Sequence, residues 1–260
     1  MSERLSELRR FAEALALEAA DRVRKAGRGA QVQEKAAGDW FSALDAEVEQ
    51  HIRLRIARAY PGHGFLGEEG GAVGAQGADD CIWVVDPIDG SMNFLRDLPH
   101  YAVSLALVQG GEPLVGCVAD PVRGELFSAA RGLGAHCNVQ PLQVGSPQRL
   151  LDAVAATVFP KPYADFLPTY VEQLGRVLGT VAGARRSGSM ALDLAYLAAG
   201  RVDLFWERGM GAWDAAAGVL LIREAGGEVF TLDGLPWMQS AQIAAATPGL
   251  SAAWRDLLTR

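Results

Sequence analysis

A short apolar run, Ile82-Trp83-Val84-Val85, breaks off into Asp86-Pro87-Ile88-Asp89-Gly90-Ser91-Met92-Asn93-Phe94, and no hydrophobic periodicity calls for that second segment. The apolar residues predict a short strand buried on both faces. Pro87 holds Asp86 to extended geometry and Gly90 allows a tight turn, so both carboxylates can be aimed at one point beyond the strand end. Two carboxylates at one point repel, and they coexist only if one is protonated or a cation lies between them. An all-oxygen, carboxylate-rich set favours a hard ion such as Mg²⁺. Gly90 and Ser91 add backbone N–H groups and a hydroxyl beside it, a natural place for a phosphate. A metal-dependent phosphatase is the first expectation. Asp-Pro and Asp-Gly are also common turn formers, so on this segment alone loop capping stands as the alternative.

The chain has 260 residues, half of them hydrophobic, enough for one large domain or two packed halves around a substantial core. Its formal charge of -7 argues against non-specific binding to nucleic acid or an anionic membrane. Cys81, Cys117 and Cys137 are odd in number and lack CxxC spacing, so neither a disulfide framework nor a zinc site is indicated. His51, His63, His100 and His136 do not pair at metal-ligand spacing either. The amino terminus is charged and runs into an amphipathic pattern, with no signal peptide and no membrane-length apolar run, so a cytoplasmic location is expected.

Leu5, Leu8, Ala12, Leu15 and Ala19 predict a first amphipathic helix up to about Lys25, ended by Gly27-Arg28-Gly29. A strand near Gln31 to Glu34 and a loop from Lys35 to Ser42 lead to a second helix starting at Asp45 and running to Tyr60-Pro61. Gly62 to Leu66 reads as a strand and Gly71 to Asp80 as a surface loop. Ala102 to Val108, Leu114 to Ala119 and Glu125 to Ala130, separated by turn residues, predict an antiparallel meander. The halves divide best near Gln143 to Pro147, giving residues 1–145 and 146–260 packed as one unit. In the second half, strands are expected at Val154 to Val158, Val202 to Trp206, Glu228 to Thr231 and Ile243 to Ala246. Helices are expected at Tyr163 to Leu178, Ala191 to Ala199, Ala215 to Ala225 and Leu250 to Leu258.

Four places share one feature, an acid at the junction of an apolar element with a Gly-rich or helix-starting turn: Asp45, Glu68, the Asp86/Asp89 pair and Asp214. Singly, each reads as a helix-start or loop residue. Together and in order, the motifs closely resemble the inositol monophosphatase family, the lithium-sensitive, Mg²⁺-dependent sugar phosphatases. The resemblance spans almost the whole chain. It rests on Lys35-x-x-x-Asp39-x-x-Ser42-x-x-Asp45, Gly67-Glu68-Glu69, Trp83 through Asn93-Phe94, Gly188-Ser189 before Leu192-Asp193, and Trp213-Asp214-x-Ala216-Ala217-Gly218 with Glu224-Ala225-Gly226-Gly227.

That resemblance implies a mixed α/β fold, the layered α/β/α/β/α sandwich of the inositol monophosphatase and fructose-1,6-bisphosphatase type, usually a homodimer. It implies two to three Mg²⁺ per site: the first on Glu68, Asp86 and the Ile88 carbonyl, the second on Asp86, Asp89 and Asp214, a weaker third on Glu68. Such metal pairs stand roughly 3.5–4 Å apart and clamp the attacking and leaving oxygens of an in-line displacement. By the same resemblance, water is the nucleophile, deprotonated with help from a Ser91 hydroxyl hydrogen-bonded to Asp45. Glu68 belongs with these two among the catalytic residues, and Gly90 and Ser91 N–H groups hold the phosphate. Substrate hydroxyls fall to Asp89, Gly188, Ser189, Met190, Glu207 and Asp214. Ser91 stands where threonine is more frequent and keeps the hydroxyl. Met190 replaces a residue that is often small and so is expected to reshape the pocket. Met92 also replaces a threonine and is expected to pack just outside the site.

The default activity implied is hydrolysis of inositol 1-phosphate. Fructose 1,6-bisphosphate, histidinol phosphate, a nucleotide 3′-phosphate or NADP are alternatives within one mechanism. A different class is a binding role with the transcription machinery and ribosomal RNA synthesis, since Arg185-Arg186-Ser187-Gly188-Ser189 and Leu192 to Tyr196 resemble the family branch with that role.

Overall fold

The computed structural model describes residues 2–27, 32–36, 39–75, 77, 79–158 and 164–260, the side chains of 32–36 and 39–41 excepted. Helix α1 (Ser2–Ala26) buries Leu5, Leu8, Ala12, Leu15, Ala19 and Val23 along one stripe, as the three-and-four spacing predicts. Strands β1 (Val32–Ala36) and β2 (Asp39–Ser42) form an antiparallel hairpin, so six of the eight residues expected as a loop from Lys35 to Ser42 are strand. Helix α2 (Ala43–Ala59) begins two residues before Asp45, because Ser42 takes the N-cap position.

The strands β3 (Gly64–Gly67), β4 (Gly71–Val73), β5 (Cys81–Asp89), β6 (Ala102–Gln109), β7 (Glu112–Asp120), β8 (Glu125–Ala130), β9 (Ala135–Cys137) and β10 (Gln140–Pro141) make one sheet. Its order is β10-β9-β8-β7-β6-β5-β3-β4, and only the β3/β5 pair is parallel. The meander β6-β7-β8 is the antiparallel one expected. Short helix α3 (Ser91–Leu95) and strands β4, β9 and β10 were not legible in the pattern, being too short to show a period.

The second sheet contains β11 (Val154–Thr157), β12 (Gly183–Arg185), β13 (Leu204–Arg208), β14 (Glu228–Thr231) and β15 (Gln242–Ala246) in the order β12-β11-β13-β15-β14. Its helices are α4 (Leu167–Leu178), α5 (Met190–Ala198), α6 (Ala212–Glu224) and α7 (Ser251–Thr259). The expected start of α4 at Tyr163 lies outside the described residues, and Pro168 sits in the first turn of the helix, where its missing N–H costs nothing. Strand β13 runs two residues later than expected, which brings Glu207 into the sheet.

Three cores hold five layers together, the middle one enclosing α5 and α6 between the two sheets. Trp83 and Val85 of β5 face α1 and α2, while Val84 points to the opposite core with α5 and α6. That middle core also takes Phe205, Ile243 and Ala245 from the second sheet. Leu204, Trp206, Ala244 and Ala246 point the other way, into a third core with Tyr170 of α4 and Trp254 of α7. The layering is the α/β/α/β/α sandwich expected. Small residues make the middle layer thin: a Cβ on Gly116 of β7 would lie 2.9 Å from the Cα of Ala217 in α6. Among the described residues no helix is long and apolar enough to cross a membrane.

Candidate metal and phosphate site

Strand β5 does not stop at Val85 but continues through Asp89. Its pairing with β6 slips between Asp86, opposite Ser104, and Asp89, opposite Ala102. Three steps along β5 match two along β6, which is a β-bulge. In a regular strand residues three apart point to opposite faces; the extra residue turns Asp86 and Asp89 to the same side. Pro87 fits here because a bulge has a place without a ladder N–H. Asp86 accepts the Ile88 N–H at 3.0 Å, closing the bulge locally.

Beyond the strand, Gly90 has φ 91° and opens α3. A side chain there would also meet the Gly188 and His100 carbonyl oxygens at 3.0 and 3.1 Å, so conformation and space both require glycine. Asp89 is met by the amino end of α5: it accepts the Ser189 hydroxyl, the Ala191 N–H at 2.7 Å and the Met190 N–H at 3.2 Å. Asp214, in the first turn of α6, accepts the Gly211 N–H at 2.6 Å. The helix-capping reading of Asp214 therefore holds, and capping leaves its carboxylate near the end of β5.

One oxygen from each of Asp86, Asp89 and Asp214 lies within 4.8 Å of the others. Burial, then the charges of Glu68, Asp89, Asp214 and Asp45, push the Asp86 carboxyl well above the ordinary aspartate range. Burial likewise raises Asp89, to about 6, against the lowering pull of its hydrogen bonds from Ser189 and the first turn of α5. Buried carboxylates with raised proton affinity and only oxygen donors fit a hard divalent cation, which removes both penalties at once. Glu68 sits at the end of β3, its N–H donated to the Val85 carbonyl at 3.2 Å, and its charge is the largest carboxylate influence on Asp86.

Beside this cluster, Asp45 is fully buried and accepts three protons. The Ser42 N–H at 2.9 Å and hydroxyl at 2.6 Å bind one oxygen, and the Ser91 hydroxyl, at 2.6 Å, binds the other. Ser91 Oγ is also 2.8 Å from the Ile88 carbonyl, and its one proton can serve only one of the two acceptors at a time. The Lys35 and Asp39 side chains lie outside the described residues.

The substrate-side residues are placed less uniformly. Glu207 is 5% exposed, accepts the Val158 N–H at 2.9 Å, and is pushed well above the usual glutamate range by burial. Gly188, with φ 90°, packs against the Asn93 amide, 2.9 Å from where a Cβ would stand. Met190 is buried in the middle core beneath the start of α5, so its bulk fills the interior instead of reshaping a pocket. Met92 is 41% exposed and does not pack as expected: it is the second residue of α3, whose buried residues are Asn93 and Phe94.

Two buried acids were given no role from the sequence, Asp193 being named only within a motif. Asp193, buried on α5, stands 3.9 Å from His100 Nε2, and burial raises its carboxyl well above the ordinary range. Glu49, 5% exposed on α2, accepts the N–H groups of Glu69 and Gly70. Glu49 follows Asp45 by one helical turn, and that i, i+4 spacing of acids on one face was the available signal.

The family model described as the inositol monophosphatase family matches residues 4–258. The chain is 44% identical over 233 residues to the inositol-1-monophosphatase of Rhizobium meliloti (strain 1021), covering 88% of this chain and 86% of that protein. It is 44% identical over 206 residues to the Nus factor SuhB of Pseudomonas aeruginosa, covering 78% and 76% respectively. Among solved structures, the extragenic suppressor protein suhB of Bartonella henselae superposes with a TM-score of 0.91 at 35% identity, covering 98% of this chain and 99% of that one.

Proposed function

Since the chain belongs to the inositol monophosphatase family and is a phosphatase of that family, we propose that it hydrolyses a small sugar or polyol phosphate monoester, inositol 1-phosphate by default, with Mg²⁺. The observation that carries this reading is the convergence of Asp86, Asp89 and Asp214 beside the Ser91–Asp45 hydrogen bond. Glu68, Asp86 and the Ile88 carbonyl would hold one Mg²⁺; Asp86, Asp89 and Asp214 would hold a second, with a third, weaker ion on Glu68. Bound there, Mg²⁺ supplies Lewis-acid stabilisation of charge developing on the phosphoryl and departing oxygens.

The chain's own groups do the rest. Asp45, anchored by Ser42, accepts from the Ser91 hydroxyl, so that as Oγ takes a proton from the attacking water its own proton passes to the Asp45 carboxylate. Gly90 and Ser91 N–H groups bind phosphate oxygens. Asp89, Asp214, Glu207 and the backbone of Gly188, Ser189 and Met190 bind substrate hydroxyls, Met190 through its main chain only, as its buried side chain dictates. A homodimer, lithium inhibition and a cytoplasmic location belong to the same reading.

The test is phosphate release by chelator-stripped protein from inositol 1-phosphate, fructose 1,6-bisphosphate, histidinol phosphate, NADP and adenosine 3′,5′-bisphosphate, with and without Mg²⁺. Turnover that needs Mg²⁺ and disappears in Asp86→Asn supports the reading, and the preferred compound names the substrate. No turnover of any compound by protein that still binds Mg²⁺ would favour the second reading, a binding role in transcription. Its support is the similarity to relatives named Nus factor SuhB. Under that reading the Asp86→Asn protein keeps its binding function.

A further inference from the structure

The segment Gly67-Glu68-Glu69-Gly70 joins β3 to β4 and closes around a single carboxylate, that of Glu49 on α2. Glu49 Oε2 accepts the Glu69 N–H at 2.8 Å and Oε1 accepts the Gly70 N–H at 2.7 Å. The approach is so close that a Cβ on Gly67 would lie 2.3 Å from Oε2, and one on Gly70 would lie 2.7 Å from Oε1. A side chain at either glycine would have to push the Glu49 carboxylate off these amides. Charge-assisted bonds from two successive amides define the orientation of a peptide segment far better than one neutral bond does.

The hairpin does not need this clamp in order to turn. Gly67 pairs with Gly71, and Gly71 has φ 66°, a closing device of the usual three-residue hairpin. An open cavity of about 620 Å³, lined by Glu49, Gln50, Arg53, Glu68 and Glu69 among others, lies alongside. The backbone of the segment is held at three successive points: the Glu68 N–H is tied to Val85, the residue before Asp86, and the next two N–H groups are tied to Glu49.

We propose that Glu49 is a positioning residue that aims Glu68 at a divalent cation shared with Asp86. The proposal rests on the reading of Glu68 and Asp86 as cation ligands. It gives α2 a double task, because Asp45 and Glu49 stand one turn apart on the same helix. Through Asp45 the helix orients the Ser91 hydroxyl, and through Glu49 it orients Glu68, so one rigid element sets the proton acceptor and a cation ligand in register. Glu49 itself touches neither cation nor substrate.

The experiment is titration of chelator-stripped protein with Mn²⁺, followed by electron paramagnetic resonance, in parallel with the Mg²⁺ dependence of phosphate release. Glu49→Gln places an amide N–H₂ against one of the two backbone donors, and Gly70→Ala drives a methyl into the same carboxylate. Both are expected to weaken Mn²⁺ at one site by about 10–100-fold, the usual cost of losing an outer support of a metal ligand. The Mg²⁺ concentration for half-maximal activity should rise in step, with kcat at saturating Mg²⁺ nearly unchanged. Gln50→Ala, lining the same cavity without touching the loop amides, should bind Mn²⁺ as the parent does. A Glu49→Gln or Gly70→Ala protein that melts earlier yet binds Mn²⁺ like the parent would show a merely structural role and overturn the proposal. If Glu49→Gln does not fold, Gly70→Ala decides alone. A parent protein that binds no Mn²⁺ would sink the cation reading itself, a failure separable from this one.

Discussion

The buried carboxylates of α2 and that of Asp86 in β5 are the same chemical group in opposite situations. Asp45 and Glu49 are surrounded by protein donors: three protons reach Asp45 and two amides reach Glu49. Asp86 has one local N–H and otherwise faces Glu68, Asp89, Asp214 and Asp45. The first pair is complete without any ligand and serves to hold other groups in place. The second is a site of conflict that only protons or a cation can relieve. The difference teaches that a buried acid is informative less by its burial than by who supplies its counter-charge.

That contrast can be broken by experiment, and the largest effect should come from Asp86→Asn. Activity with Mg²⁺ should fall by at least about 10³-fold, a loss of several kcal/mol of transition-state stabilisation. In chelator the same protein should melt above the parent, since a repelled, buried charge has been removed while the Ile88 N–H keeps its acceptor. An Asp86→Asn protein that melts lower than the parent in chelator would break the comparison.

Next in size is the pH dependence of the metal-free protein. The Asp89 carboxyl is raised from 3.8 to about 6 on folding, and Asp86 is raised in the same direction by burial and neighbouring charge. Between the unfolded and folded values the native chain holds more protons than the unfolded one, so stability falls as pH rises. The Asp89 part alone amounts to about 3 kcal/mol, fully present below about pH 4 and lost as pH passes 6. Urea midpoints in chelator should decline across that window, and saturating Mg²⁺ should flatten the decline. A flat profile without Mg²⁺ would count against the conflict described for β5.

Asp45→Asn should behave in the opposite sense to Asp86→Asn. An amide placed against Ser42 or Ser91 leaves a donor facing a donor, at a cost of about 1–3 kcal/mol, visible as a lower melting temperature with or without Mg²⁺. Smallest of all should be Ser91→Thr, which keeps the hydroxyl between Asp45 and Ile88; kcat should change by less than about threefold, under ~0.7 kcal/mol.

Much of the site was legible because its residues sit where local chemistry is unusual. Asp86, Asp89, Asp45 and Asp214 each interrupt an apolar element at a turn, and that anomaly needs no tertiary information to be noticed. The long elements were legible for the related reason that period 3.6 and period 2 accumulate over length: α1, α6 and the β6-β7-β8 meander stand where the pattern places them. Strands β2, β4 and β12 were not, being three to four residues each. The exposure of Met92 and the burial of Met190 were misjudged because both depend on which way a helix of the second core or a single turn of α3 points its face.

By itself the sequence determined the run of helices and strands, the acids and the Ser91 hydroxyl, since these follow from hydrophobic period and residue type, while the five-layer sandwich was implied by the resemblance of the motifs to a family. Only the tertiary structure decided that Asp86 and Asp89 share a side, through a bulge recorded in the pairing of β5 with β6. It alone decided that Asp89 meets an α5 terminus roughly a hundred residues on, and that Glu49 is clasped by the loop of Glu68. The physical reason is that carboxylates repel at short range, so no local rule draws them together. Their convergence is imposed by the burial of three apolar cores, whose favourable free energy is spread over the whole chain.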